Sequence, residues 1–192
     1  MGAAAMTGAR ALRIGFTGTR EGMTREQLRV VPAVLVALAC EVLPLVVVAG
    51  GGETSVVGHH GDAFGSDAQF HDITRAEFPR SWIVIHPPTD DRQRAFRQAD
   101  EYRRPFKFIT RDHHIVDESE VLVATPRGFE EELFSGTWAT VRYSVRKARR
   151  PTVVVYPDGS ADRFHFPDLP DAYVPQAFDL EAARPPHFAL QG

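Results

Sequence analysis

Short runs of β-branched and aliphatic residues alternate along this chain with helical or polar stretches, and that alternation limits the fold more than any other feature. It is the pattern of an α/β protein with a mainly parallel sheet. Residues 12–16 form the first such run and end in the turn Thr17-Gly18-Thr19-Arg20. Thr24 and Gln27 then read as a capping box that opens a helix, and Leu28, Val31, Leu35 and Leu38 continue it at helical spacing. Pro32 interrupts that helix and makes its boundary ambiguous. Residues 45–49 are strand-like and break at Gly50-Gly51-Gly52. Val56-Val57 starts another apolar piece, so residues 45–60 hold either one strand or two. A helix is expected over 69–77, a strand over 82–85 and a solvated, partly helical connection over 89–107. A short helix over 112–118, a strand over 121–124, a helix over 136–148 and a strand over 152–156 complete the pattern.

The expected architecture is a Rossmann-like, mainly parallel sheet of about five or more strands flanked by helices. It occupies residues 11–157, with a flexible N-terminus over 1–10 and a Pro-rich C-terminal extension over 158–192. A chain of 192 residues is long enough to bury one substantial core without a metal or disulfide. Lys+Arg 22 against Asp+Glu 25 leaves a net charge of −3. That argues against a protein whose main task is to coat a nucleic-acid backbone. Cys40 is the single cysteine, so neither an internal disulfide framework nor a Cys-based zinc site is available. No basic, apolar leader pattern opens the chain. Pro32, Glu41 and Pro44 interrupt the apolar region 30–49, which reads as helix then strand rather than a membrane span. A cytoplasmic location is expected.

In such sheets ligands bind outside the carboxyl ends of the strands. Residues 15–20, 58–67, 86–88 and 125–140 reach that edge. Ser135-Gly136-Thr137 opens the last helix and can present backbone N–H groups to a phosphate. Equally, Ser135 or Thr137 can simply cap its own helix.

Taken together, Gly15-Phe16-Thr17-Gly18-Thr19-Arg20, His59-His60-Gly61-Asp62, Gly65-Ser66-Asp67, the segment 111–118, Glu130-Glu131-Glu132 and Ser135-Gly136-Thr137-Trp138-Ala139-Thr140 resemble the SLOG superfamily. That superfamily includes LOG-type phosphoribohydrolases, molybdenum-cofactor carrier proteins and the DNA-processing protein DprA. The resemblance covers residues 13–157 and implies a nucleotide ligand. Its phosphate would lie on Ser135, Gly136, Thr137 and Thr140, with Gly18 and Thr19 beside it. Gly65 and Asp67 would line the base or ribose side. Arg20 could pair with the phosphate bidentately, or be a solvated surface arginine.

One departure bears on catalysis. LOG-type enzymes carry Pro-Gly-Gly-x-Gly-Thr-x-x-Glu, whose glutamate acts on the sugar. Here Thr140 stands at the matching place and no Pro-Gly-Gly precedes it. N-glycoside hydrolysis needs a carboxylate to activate water or steady an oxocarbenium-like sugar. Glu130, Glu131, Glu132, Asp62 and Asp67 are the substitutes in neighbouring loops. Glu131 and Glu132 are the preferred pair because their loop leads into the cradle, although three successive glutamates can also be a solvated loop.

No metal site is expected, since adjacent residues of a strand point to opposite faces and each His-His pair cannot grip one ion. His59 or His60 is expected to hydrogen-bond at the strand end. No Gly-x-Ser-x-Gly, Walker A or Gly-x-Gly-x-x-Gly pattern occurs, and no cofactor is expected. Trp138 and Tyr143 read as packing residues. Arg142, Arg146, Lys147, Arg149 and Arg150 read as cations that offset a helix dipole, or as a DNA-binding patch of the DprA kind.

The function expected first is hydrolysis of the N-glycosidic bond of a nucleoside 5′-monophosphate or derivative. The rival is a non-catalytic nucleotide sensor or carrier, and a DprA-like DNA-binding role is weaker. The expected partner is a small-molecule nucleotide, with no membrane. A homo-oligomer, most simply a dimer, is expected by analogy alone.

Overall fold

A computed structural model describes residues 11–42 and 55–166. Their elements are β1 (Ala11–Gly18), α1 (Arg25–Val42), β2 (Ser55–His60), α2 (Ser66–Glu77), β3 (Trp82–Ile85), β4 (Glu101–Tyr102), α3 (Phe108–Asp117), β5 (Val121–Thr125), α4 (Gly136–Arg142), β6 (Thr152–Val155) and β7 (Ala161–Phe164). A 3₁₀ turn, Asp91–Gln93, lies between β3 and β4, and a π-helical segment, Tyr143–Ala148, extends α4. The described residues form one sheet in the order β4-β3-β2-β1-β5-β6-β7. Every pairing is parallel except β6 with β7. The fold is the Rossmann-like α/β class that the alternating pattern predicts, and the strand order reverses between β1 and β5.

The capping box forms. The Thr24 amide donates to Gln27 Oε1 at 2.9 Å, and the Gln27 amide donates to Thr24 Oγ1 at 3.1 Å. Pro32 lies inside α1 without ending it. Val31, Val34, Leu35 and Leu38 of that helix are buried with Leu12, Ile14 and Phe16 of β1, and this burial outweighs the one lost helix bond. From α2, Phe70 stacks on Phe16 with ring centroids 4.5 Å apart. On the opposite face Trp138, Val141 and Val145 pack with Ala124, Val154 and Tyr156. There α3 also approaches β1 closely, since a side chain at Gly15 would come within 3.2 Å of Ile115 Cγ2 of that helix and within 2.7 Å of Ser119 Oγ just beyond it.

Some boundaries differ from expectation. The helix expected from 69 begins at Ser66, and the one expected from 112 begins at Phe108. The connection over 89–107 contains β4, whose two residues pair with Val84 and Ile85. Within the expected C-terminal extension the chain forms β7, in antiparallel register with β6, while the expected N-terminal segment 1–10 and residues 167–192 lie outside the described residues. The strand-like run at 45–49 lies outside the described residues, and β2 is the strand described in that region. Among the described residues, no helix is long and apolar enough to cross a membrane.

Candidate functional site

The strand order places the carboxyl ends of β1 and β5 side by side at the reversal, where α/β sheets open a crevice. Thr19 donates its amide to Thr125 O at 3.2 Å, and Ser66 donates its amide to Thr19 O at 3.1 Å. These bonds draw three loops together around Gly18. A Cβ there would lie 2.4 Å from Thr125 Oγ1 and 2.5 Å from Ser66 Cβ, so only glycine fits. Gly65 supports the same junction from below. Its φ is 77°, and a Cβ would come within 2.3 Å of Arg20 O.

Beside this junction lies a cavity of about 90 Å³ lined by Gly18, Arg20, Asp67, Arg111, Asp112, Gly136 and Thr137, among others. Asp67, in the first turn of α2, accepts the amides of Gly61 and Ala63 on Oδ2, each at 3.1 Å. Burial pushes its pKa up to about 6, against the opposing pull of Arg111 and the two amides. Arg111 is itself buried. Its guanidinium occupies the space that a side chain at Gly61 would need. Nε lies 2.8 Å from Asp112 Oδ1, Nη1 lies 3.9 Å from Asp67 Oδ2, and Nε has no well-directed hydrogen bond. Asp112 is also shifted upward by burial, opposed first by Arg111 and then by a hydrogen bond with Thr140. Arg20 sits over the Phe108 ring, 5.0 Å from its centroid. The cavity wall therefore carries two cations and two buried carboxylates.

Of the residues expected from sequence, Gly18, Arg20, Asp67, Gly136 and Thr137 meet at this cavity. Thr140 donates its hydroxyl to Gly136 O at 2.9 Å and adjoins Asp112. Gly65 acts through the backbone. Ser135 is the N-cap of α4 and accepts from the Trp138 amide at 3.4 Å. Thr19 Oγ1 accepts from the Glu21 amide at 3.3 Å. Glu131 and Glu132 are not in the cavity wall. Glu131 pairs with Arg142 at 2.8 Å and Glu132 with Arg127 at 2.8 Å. Arg146 also pairs with Glu131 at 3.6 Å, so part of the basic patch at the end of the last helix is neutralised internally.

Arg111 and Asp112 are the site residues that sequence reasoning missed. Both stand at the head of the segment 111–118 that carried part of the resemblance, but charged residues on a helix read by default as solvent-facing. Only the sequel of a buried strand, β5, hints that this helix is packed deeply.

The histidines of β2 diverge as the pleat requires. His60 Nδ1 accepts the Asp62 amide at 3.0 Å, which leaves Nε2–H to face His71 Nδ1 at 3.1 Å. That arrangement closes the loop after β2. His59 points to the other face, with Nδ1 3.0 Å from His86 Nε2. Burial lowers the pKa of both His59 and His86 to about 3, so each is neutral.

No family model matches the chain, and no curated protein is detectably similar to it. Among solved structures, the molybdenum cofactor binding protein from the phototrophic bacterium Rippkaea orientalis is similar in fold. The two share 16% identity over 77% of each chain, with a TM-score of 0.53.

Proposed function

We propose that this chain binds a nucleotide-like, phosphorylated small molecule at the cavity between β1, α2, α3 and α4. The observation that carries the reading is Arg111, a buried guanidinium whose Nε lacks a directed hydrogen bond although it faces two buried carboxylates. Such a group pairs readily with a phosphate oxygen. Gly18 and Gly136 let backbone approach the same point, and Arg20 adds a second cation. A volume of about 90 Å³ is well below the ~300 Å³ at which small-molecule pockets begin. That space suits a phosphate group alone, so the remainder of such a ligand would have to extend out of it, past the half-exposed Ile109 of its lining. The SLOG-type resemblance and the cofactor bound by the Rippkaea orientalis protein point to the same ligand class.

The reaction we infer is hydrolysis of the N-glycosidic bond of a nucleoside 5′-monophosphate. A carboxylate takes a proton from water as the water oxygen bonds to C1′. The C1′–N bond breaks, and the base leaves with the electron pair and gains a proton. Among the described residues, Asp112 and Asp67 are the carboxylates that line the cavity, while Glu131 and Glu132 are held by Arg142 and Arg127. Asp67, with a pKa of about 6, is poised for proton transfer near neutral pH.

A second reading, a sensor or carrier that does not turn its ligand over, is favoured by Thr140. That threonine stands where LOG-type enzymes carry glutamate and hydrogen-bonds with Asp112. Chromatography of ribo- and deoxynucleoside monophosphates after long incubation with the protein separates the two. Release of free base and sugar phosphate, lost in Asp112→Asn, establishes the glycosidase. An intact panel together with ligand-dependent thermal stabilisation establishes the binder. The absence of both cleavage and stabilisation overturns the site.

A further inference from the structure

A second constellation lies on the far side of β2 from His60, and the nucleotide reading does not use it. His59 of β2 and His86, just beyond β3, project to the same face of the sheet, and both are buried. Glu118, at the end of α3, joins them. One ring nitrogen from each histidine and a carboxylate oxygen of Glu118 all lie within 4.8 Å of one another.

Three details make this more than a chance cluster. First, His59 Nε2 is buried without a hydrogen-bond partner, although buried polar atoms are nearly always satisfied. Second, Arg103 holds Glu118 through Nε at 2.8 Å and Nη2 at 2.6 Å, both on Oε2. That grip leaves Oε1 for another partner and orients the carboxylate, as outer partners of metal ligands do. Third, His59 and Glu118 line an open groove of about 520 Å³ that also contains Trp82, Arg13 and Arg150. A ligand held by these side chains therefore stands at a solvent-reachable surface rather than in a sealed interior.

We propose that His59, His86 and Glu118 form a binding site for a divalent transition-metal ion of the zinc class, with a coordination position open toward the groove. The donor set fits such an ion, because imidazole and carboxylate suit zinc and its neighbours. Three protein ligands with one position left for water or an exogenous group make the arrangement of reactive rather than purely structural zinc sites. The ligands come from three separate elements, β2, the end of β3 and the end of α3. Their meeting is a product of the sheet order, and each His-His doublet of the sequence contributes at most one ligand.

Equilibrium dialysis of the full chain against Zn²⁺, followed by metal analysis, tests the site, with Co²⁺ absorption as a report on geometry. One tightly held ion per chain is expected, giving low-symmetry Co²⁺ d–d bands that Zn²⁺ displaces. Glu118→Gln keeps the shape of a half-exposed side chain and is expected to fold and to lose that ion. His86→Gln should lose it too. Arg103→Ala, which frees the carboxylate, is expected to weaken binding about tenfold, the scale of lost outer partners. A double His113→Gln, His114→Gln variant should bind as the parent does. Absence of saturable binding in the parent overturns the proposal. So does full binding by folded Glu118→Gln, or loss of the ion in the His113/His114 variant instead.

Discussion

Arg111 carries more of the candidate site than any other side chain. Its charge is what allows Asp67 and Asp112 to share one buried wall. Removing one partner from a buried ionic group is far more damaging than never having built it. Arg111→Leu is therefore expected to cost about 3–5 kcal/mol by chemical denaturation, and to abolish protection by a nucleoside monophosphate. Asp67 gives a prediction of the opposite kind. Its pKa is raised from 3.8 to about 6, so the native state holds this proton more tightly than the unfolded chain. The stability linked to Asp67 is thus complete below 3.8 and is lost as pH rises through about 6. Asp67→Asn should flatten the decline of stability across that window, as measured by denaturation at a series of pH values. An unchanged slope would assign the decline to another group.

Among the elements, α1 shows how a local signal acquires a long-range task. Thr24 and Gln27 are recognisable as a capping box from spacing alone, and the box forms. Gln27 then goes further: buried Nε2 donates to Pro126 O at 2.9 Å and to Val155 O at 2.8 Å. One amide thereby ties the start of α1 to the loop after β5 and to the end of β6. Gln27→Leu would leave two buried carbonyls unpaired, and we expect a loss of about 3 kcal/mol, since each such group costs ~1–3 kcal/mol. Thermal unfolding measures it. By contrast, the change from α4 to a π-helical segment at Tyr143 was not legible. The segment ends with the Arg150 amide on Ser144 O at 3.0 Å, and the Ser144 and Thr152 hydroxyls meet at 2.8 Å. The second contact depends on where β6 lies, and helical periodicity in residues 136–148 carries no trace of it.

For the molecule as a whole, the sheet extends past the point where the composition turns Pro-rich. β7 pairs with β6 from Thr152 to Val155, and the Tyr156 hydroxyl donates to Asp162 at 2.9 Å. A chain ended after Phe166 should fold, whereas one ended after Pro157 exposes the β6 edge and should aggregate or melt lower. Size-exclusion chromatography of both truncations checks this. The sequence by itself determined the α/β class, the parallel core strands, the capping box and the glycine-lined edge. Each of these rests on local periodicity or on the stereochemistry of single residues. The tertiary structure alone decided that Arg111 and Asp112 face Asp67, that Glu131 and Glu132 are spent on arginines, and that His59 meets His86 and Glu118. Those contacts join residues far apart in the chain, and their partners follow from strand order and helix packing, which no local pattern encodes.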